Sequence, residues 1–159
     1  MKNRKWIVFL AVIAMLIGLS ACDVQEGAVP EENSAAVSGS RVIIDRTGRQ
    51  VEVPEEVNTI VCLGSGAPRI AAYLQVTDRM IGAEECDTGE VTVLRDYSWA
   101  CHDELKDLPV VGVGGGSGQN NAYAEQIIEL QPDVILAGFT AESADELQKI
   151  TGIPVVSVY

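Results

Sequence analysis

Thr59-Ile60-Val61-Cys62-Leu63-Gly64-Ser65-Gly66-Ala67-Pro68-Arg69-Ile70-Ala71-Ala72-Tyr73-Leu74 is the stretch on which the fold turns. A β-branched, apolar run ends in Gly64-Ser65-Gly66, after which Ala67, Ile70, Ala71 and Leu74 recur at i, i+3, i+4 and i+7. The first half has the composition of a buried strand and the second the period of an amphipathic helix, so the segment reads as strand, glycine loop, helix.

Similar units follow downstream. Met80 to Ala83 predicts a second parallel strand, and Val110 to Val113, running into Gly114-Gly115-Gly116-Ser117-Gly118, a third. A helix is predicted from about Ala122 to Leu130, with Asn121 as N-cap and Pro132 marking its end. Asp133 to Gly138 contains Val134-Ile135-Leu136 without alternation, the pattern of a strand covered on both faces. The last helix takes Thr140 or Ser143 as its cap, Ser143 with Glu146 forming a capping box. Ala144, Leu147 and Ile150 make its inner stripe, Gly152 stops it, and Val155 to Tyr159 is the final strand.

Strands alternating with helices at this spacing predict an α/β fold: a three-layer βαβ lobe with a mostly parallel central sheet. Upstream, Val42-Ile43-Ile44-Asp45 and Gln50-Val51-Glu52-Val53-Pro54 flank Arg46-Thr47-Gly48-Arg49 and predict a β-hairpin ahead of that sheet. Glu84 to Asp107 is polar, with Tyr97, Trp99 and His102 embedded, and reads as a long excursion. Loops of that length inside a compact domain carry function or structure of their own.

The N-terminus is an export address. Lys2, Arg4 and Lys5 precede an apolar run of thirteen residues, Trp6 to Gly18, followed by Leu19-Ser20-Ala21-Cys22. Roughly twenty residues are needed to cross a bilayer core, so residues 1–21 read as a cleaved signal peptide. Leu19-Ser20-Ala21-Cys22 resembles the lipobox of bacterial lipoproteins, in which Cys22 is acylated and becomes the new N-terminus. Residues 22–40 hold four acidic residues with no basic or aromatic one, a composition that reads as a flexible tether. Loss of residues 1–21 leaves eight basic residues against twenty-three acidic, a formal charge of −15. That balance excludes nucleic acid as a partner, because phosphate binding needs clustered Lys and Arg. It also leaves membrane attachment to the lipid anchor, at the outer face of the cytoplasmic membrane.

Several of these stretches, taken in order, resemble a known family. Val42-Ile43-Ile44-Asp45-Arg46-Thr47-Gly48-Arg49 with Val53-Pro54, then Thr59 to Gly64, then Tyr73-Leu74 to Asp78-Arg79-Met80-Ile81-Gly82 are similar to the N-terminal lobe of ABC-transporter substrate-binding proteins for iron-siderophore, haem and cobalamin uptake. Leu130-Gln131-Pro132-Asp133-Val134-Ile135 and Thr151-Gly152-Ile153-Pro154-Val155-Val156 continue the pattern, so the likeness runs over 41–159. The resemblance implies the first lobe of a two-lobe binding protein, with ligand held between lobes and delivered to a permease and its ATPase. Residue 159 falls where the helix connecting the lobes would begin. A longer chain or a partner would then supply the second wall.

In open parallel sheets ligands sit outside the carboxyl ends of the strands. That places Ser65 and Gly66, Glu84 to Cys86, and Gly115, Gly116 and Ser117 on one rim. Glycines there either make tight turns or let backbone N–H groups approach a ligand. Arg69 falls in the first turn of a helix, where a cation opposes the dipole unless an anion lies nearby. With Arg95, Tyr97, Trp99 and His102 it offers cationic and aromatic groups to an anionic chelate; the alternative is that the aromatics pack the excursion and the arginines pair with acids. One histidine is a poor metal-site signature, so no direct metal ligands and no resident cofactor are assigned, and a chelate would be bound by shape and charge. Glu125 corresponds, through the resemblance, to a glutamate that docks on the permease, although Tyr123 stands where an asparagine is usual. Cys86 and Cys101 flank the polar excursion and are a candidate disulfide.

Two rival classes stay open. Val110-Val111-Gly112-Val113-Gly114-Gly115-Gly116 between strand and helix loosely matches a dinucleotide loop, but the spacing departs from it and no acidic residue closes the next strand at Ala137-Gly138. No Gly-x-Ser-x-Gly elbow exists for a hydrolase. An exported Rossmann-like enzyme, or a redox or interaction lipoprotein, is therefore the alternative to a non-enzymatic solute-binding protein.

Overall fold

Alternating side chains lay a hairpin against a fully covered parallel sheet. The computed structural model describes residues 39–64, 66–115 and 121–159, which belong to one compact unit. Residues 1–38, with the signal-like segment, Cys22 and most of the tether, lie outside the described residues, as do Ser65, Gly116 and Ser117.

The hairpin pairs β1 (Ser40–Ile44) with β2 (Gln50–Pro54), from Ser40↔Pro54 to Ile44↔Gln50. Val51 and Val53 turn inward onto Val134 and Val156, while Glu52 faces solvent. Its turn needs Gly48, whose φ of 87° is left-handed. Asp45 locks that turn to the sheet. Its Oδ1 accepts from Thr47 N (2.9 Å), Thr47 Oγ1 (2.8 Å) and Arg49 N (3.0 Å), and its Oδ2 from Arg49 Nη1 (3.0 Å) and Ser157 N (3.3 Å).

The main sheet is parallel throughout and ordered β4-β3-β5-β6: β3 is Ile60–Leu63, β4 Met80–Gly82, β5 Val134–Ala137 and β6 Val155–Ser157. All four residues of β3 are buried, which requires cover on both faces. On one face, α1 (Ala67–Tyr73) and α3 (Asp96–Leu105) press Ala67, Ala71, Tyr97, Cys101 and Leu105 onto Ile60 and Cys62. On the other, α4 (Ala124–Leu130) and α5 (Ala141–Thr151) bring Ile127, Ala144 and Leu147 onto Val61, Leu63 and Ile135. The result is three layers, as the alternation of strands and helices predicts.

Three local expectations change, and of the two caps the sequence allows for the last helix one is used. Val110–Val113 does not form a continuous strand: among the described residues it makes single bridges, Ala83 with Val110 and Gly112 with Ala122. Val111 N bonds to Ala83 O (3.0 Å), but Val113 N turns to Asn121 O (3.3 Å), so this strip divides its hydrogen bonds between two partners. The helix also starts later than expected, so Asn121 is not its cap: α4 begins at Ala124 with Tyr123 at the N-cap position and no side-chain bond. At α5 Thr140 is the cap, its Oγ1 accepting from Ser143 N at 3.3 Å, so the Ser143–Glu146 box is not the cap. The final strand is shorter than expected, stopping at Ser157.

The excursion carries structure of its own, α2 (Glu85–Thr88) and α3. Among the described residues no helix is long and apolar enough to cross a membrane.

Candidate functional site at the end of β4

Where β3 and β4 end, the chain must turn outward, and their last residues make the rim. Gly64, with φ of 79°, swings the chain from β3 toward α1 and donates its N–H to Glu84 Oε1 at 2.9 Å. Glu84 follows β4 directly and is 3% exposed. Two further groups converge on it from the short helix α2: Cys86 and Asp87, the latter also 3% exposed. Ligand atoms of Glu84, Cys86 and Asp87 all lie within 4.8 Å of one another.

Burial controls the chemistry of this cluster. It pushes the Glu84 carboxyl up to about 7, against the lowering effect of the Gly64 N–H, with neighbouring Asp87 adding to the rise. Asp87 is raised by the same burial, although Tyr97 Oη donates to its Oδ1 at 2.6 Å and Arg95 Nη1 stands 3.7 Å away. Burial, then Asp87, lifts the Cys86 thiol to about 11. Glu84 Oε2 has no hydrogen-bond partner among the described residues.

A cavity of about 620 Å³ opens beside this cluster, lined by Arg69, Arg95, Glu85, Cys86, Glu90 and Gly115 among others. Of the residues singled out from the sequence, Arg69, Cys86, Arg95 and Gly115 meet here. Both arginines have anionic partners: Arg69 Nε bonds to Asp96 Oδ1 at 2.8 Å, and Arg95 bonds the Cys86 carbonyl beside Asp87. A hydrogen bond from Tyr73 and the Arg69 contact hold Asp96 down at about 2. Asp96 is thus the anion whose presence makes a cation tolerable in the first turn of α1.

The remaining sequence candidates fall elsewhere. Tyr97 is buried beneath Arg69, whose guanidinium carbon lies 5.9 Å from the ring centroid, a cation–π arrangement. Trp99 is exposed and His102 half-buried on α3, and neither lines the cavity. Gly66 N donates to Tyr159 Oη at 2.8 Å, and a Cβ at Gly66 or Gly138 would collide with the Tyr159 ring. In this structure that glycine rim is fitted to the aromatic ring. Glu125 is exposed in the first turn of α4. Cys62, Cys86 and Cys101 are all free thiols, so the Cys86–Cys101 bond is not formed. Cys101 instead turns into the helix-covered core with Tyr97 and Leu105.

Sequence reasoning places Glu84 on the rim without giving it a role, and does not reach Asp87. The cue was the run Glu84-Glu85-Cys86-Asp87 set against the end of an apolar strand, where a parallel sheet places its ligands.

No protein-family model and no curated protein sequence matches the chain. Solved structures do. The molybdate periplasmic binding protein MolA of a Haemophilus influenzae ABC transporter is 23% identical with a TM-score of 0.56, over 74% of this chain and 34% of that one. A periplasmic solute binding protein from Veillonella parvula is 23% identical with a TM-score of 0.57, over 75% and 35%. Staphylococcus aureus SirA, complexed with staphyloferrin B, is 28% identical with a TM-score of 0.53, over 74% and 36%. The chain therefore spans about a third of the length of each of these three proteins. These neighbours are solute-binding proteins. The described residues carry the fold of the N-terminal lobe of ABC-transporter periplasmic binding proteins.

Proposed function

We propose that the chain is the ligand-capturing part of an extracytoplasmic solute-binding lipoprotein that feeds an ABC permease and its ATPase. Its ligand is an anionic metal chelate of the iron-siderophore class, with haem and cobalamin as related candidates. One observation carries this reading: two guanidinium groups, Arg69 and Arg95, share a cavity of about 620 Å³ with Gly115 at the carboxyl end of a parallel sheet. That volume lies within the range of about 300–1,000 Å³ usual for small-molecule sites. In this reading Ser65, Gly116, Ser117, Trp99 and His102 remain binding candidates from the sequence alone, and a second wall closes over the ligand. Cys22 carries the lipid, and Glu125, exposed on α4, meets the permease.

The fold of the neighbours supports the transport role, while molybdate is bound by MolA and staphyloferrin B by SirA. A thermal-shift panel of ferric siderophores, haem, cobalamin and molybdate against the full chain tests the reading. The expected result is a rise in midpoint with a ferric siderophore, about 2.7 kcal/mol of stabilisation at a hundredfold excess over Kd. Arg69→Ala and Arg95→Ala should each shrink it. A panel in which nothing shifts the midpoint overturns the proposal.

A further inference from the structure

The Glu84–Cys86–Asp87 cluster supports an inference independent of any transported chelate. We infer that these three side chains form a binding site for a divalent cation of borderline softness, of which Zn²⁺ is the type.

The donor set comes first. One thiol and two carboxylates supply one sulfur and two oxygens, the mixed set that suits zinc with one position left open. Their ligand atoms lie within 4.8 Å of one another, close enough to converge on one ion.

The second observation is independent of that proximity. Glu84 and Asp87 are each 3% exposed, and Glu84 Oε2 is without a hydrogen-bond partner among the described residues. A buried carboxylate oxygen without a partner costs free energy that a bound cation would offset. Arg95 is the cation already present. It approaches Asp87 Oδ1 at 3.7 Å, and Tyr97 bonds that same oxygen. The Cys86 thiol also hydrogen-bonds the Asp87 carboxyl, so these two donors already face each other and Glu84 Oε2 is the one left without any partner among the described residues.

Gly114 marks where the donors face. Its φ is 78°, and a Cβ built there would stand 2.8 Å from Glu84 Oε2 and collide with Cys86 Sγ. The unpartnered oxygen and the thiol therefore flank the same point, kept clear by the missing side chain. Cys86 also lines the cavity, which supplies a way in. Binding releases the Cys86 proton and any proton held by Glu84, so affinity rises with pH.

Co²⁺ titrated into the full chain, kept reduced, is the test. The expected result is a thiolate-to-cobalt charge-transfer band in the near ultraviolet that Zn²⁺ displaces. Cys86→Ser should abolish the band, whereas Cys22→Ser, Cys62→Ser and Cys101→Ser keep it. Glu84→Gln retains an oxygen for Gly64 N but loses the charge, and should weaken Zn²⁺ by about tenfold or more, a difference of about 1.4 kcal/mol. Absence of the band, its survival in Cys86→Ser, or unchanged affinity in Glu84→Gln overturns the inference. If Cys86→Ser fails to fold by circular dichroism, the Glu84→Gln affinity decides.

Discussion

Asp45, in the hairpin turn beside β6, and Glu84, past the end of β4, are both shut away from solvent, at 8% and 3% exposure. They sit at opposite edges of one sheet and meet burial in opposite ways. Burial pushes Asp45 up, but hydrogen bonds from Thr47, Arg49 and Ser157 outweigh it, and its carboxyl titrates below the usual range. Glu84 has one backbone donor for one oxygen, and burial wins. A carboxylate with every lone pair used is part of the frame, while one left half-satisfied marks a place where something else binds. The latch of Asp45 and Arg49 belongs to the first kind, since Arg49 also bonds Val155 O (2.9 Å) and Asp145 (2.7 Å).

Four experiments press on that contrast. The largest effect is expected at the latch: Asp45→Ala leaves Arg49 and Ser157 N without their buried acceptor and should cost about 3 kcal/mol in urea unfolding at pH 7. A loss below about 1 kcal/mol would mean the turn is not held by that carboxylate.

Glu84 predicts the opposite pH behaviour. Its folded value of about 7 lies above its ordinary 4.5, so the folded state binds the extra proton and gains stability as pH falls from about 7 toward 4.5. Asp45, held low, contributes stability that is present above 3.8 and lost only as pH falls through its folded value. In metal-free protein, Glu84→Gln should flatten the rise in unfolding free energy between those two pH values; an unchanged slope would assign it to another group.

A smaller effect belongs to Thr140→Ala, which removes the cap of α5, the helix that Arg49 reaches at Asp145, and should cost about 1 kcal/mol by thermal melting. Least of all is Asp103→Asn. Its 2.6 Å pair with Lys106 lies on the exposed face of α3, and the melting midpoint should not move measurably.

Most of the fold was legible because it rests on local rules. The unbroken apolar runs of β3 and β5, the i, i+3, i+4 stripe of α5 and the turn at Gly48 each follow from neighbours in the chain. Val110–Val113 misled for the same reason: its composition is that of a strand, but the choice of partner lay with Asn121 and Ala83. At the site, Arg69, Arg95 and Gly115 were reachable from residue type and rim position, whereas Trp99 and His102 were placed with them although neither lines the cavity.

What residues 39–159 determine by themselves is the succession of strands and helices, because hydrophobic period and glycine placement act over a few residues. Which carboxylates lose their water was decided only in three dimensions. Gly64, the short run Glu84–Asp87 and Gly114 are far apart in the chain and meet only because β3 and β4 lie side by side and the strip after β4 folds back over their ends. Desolvation depends on everything packed around a group, and no local pattern encodes that.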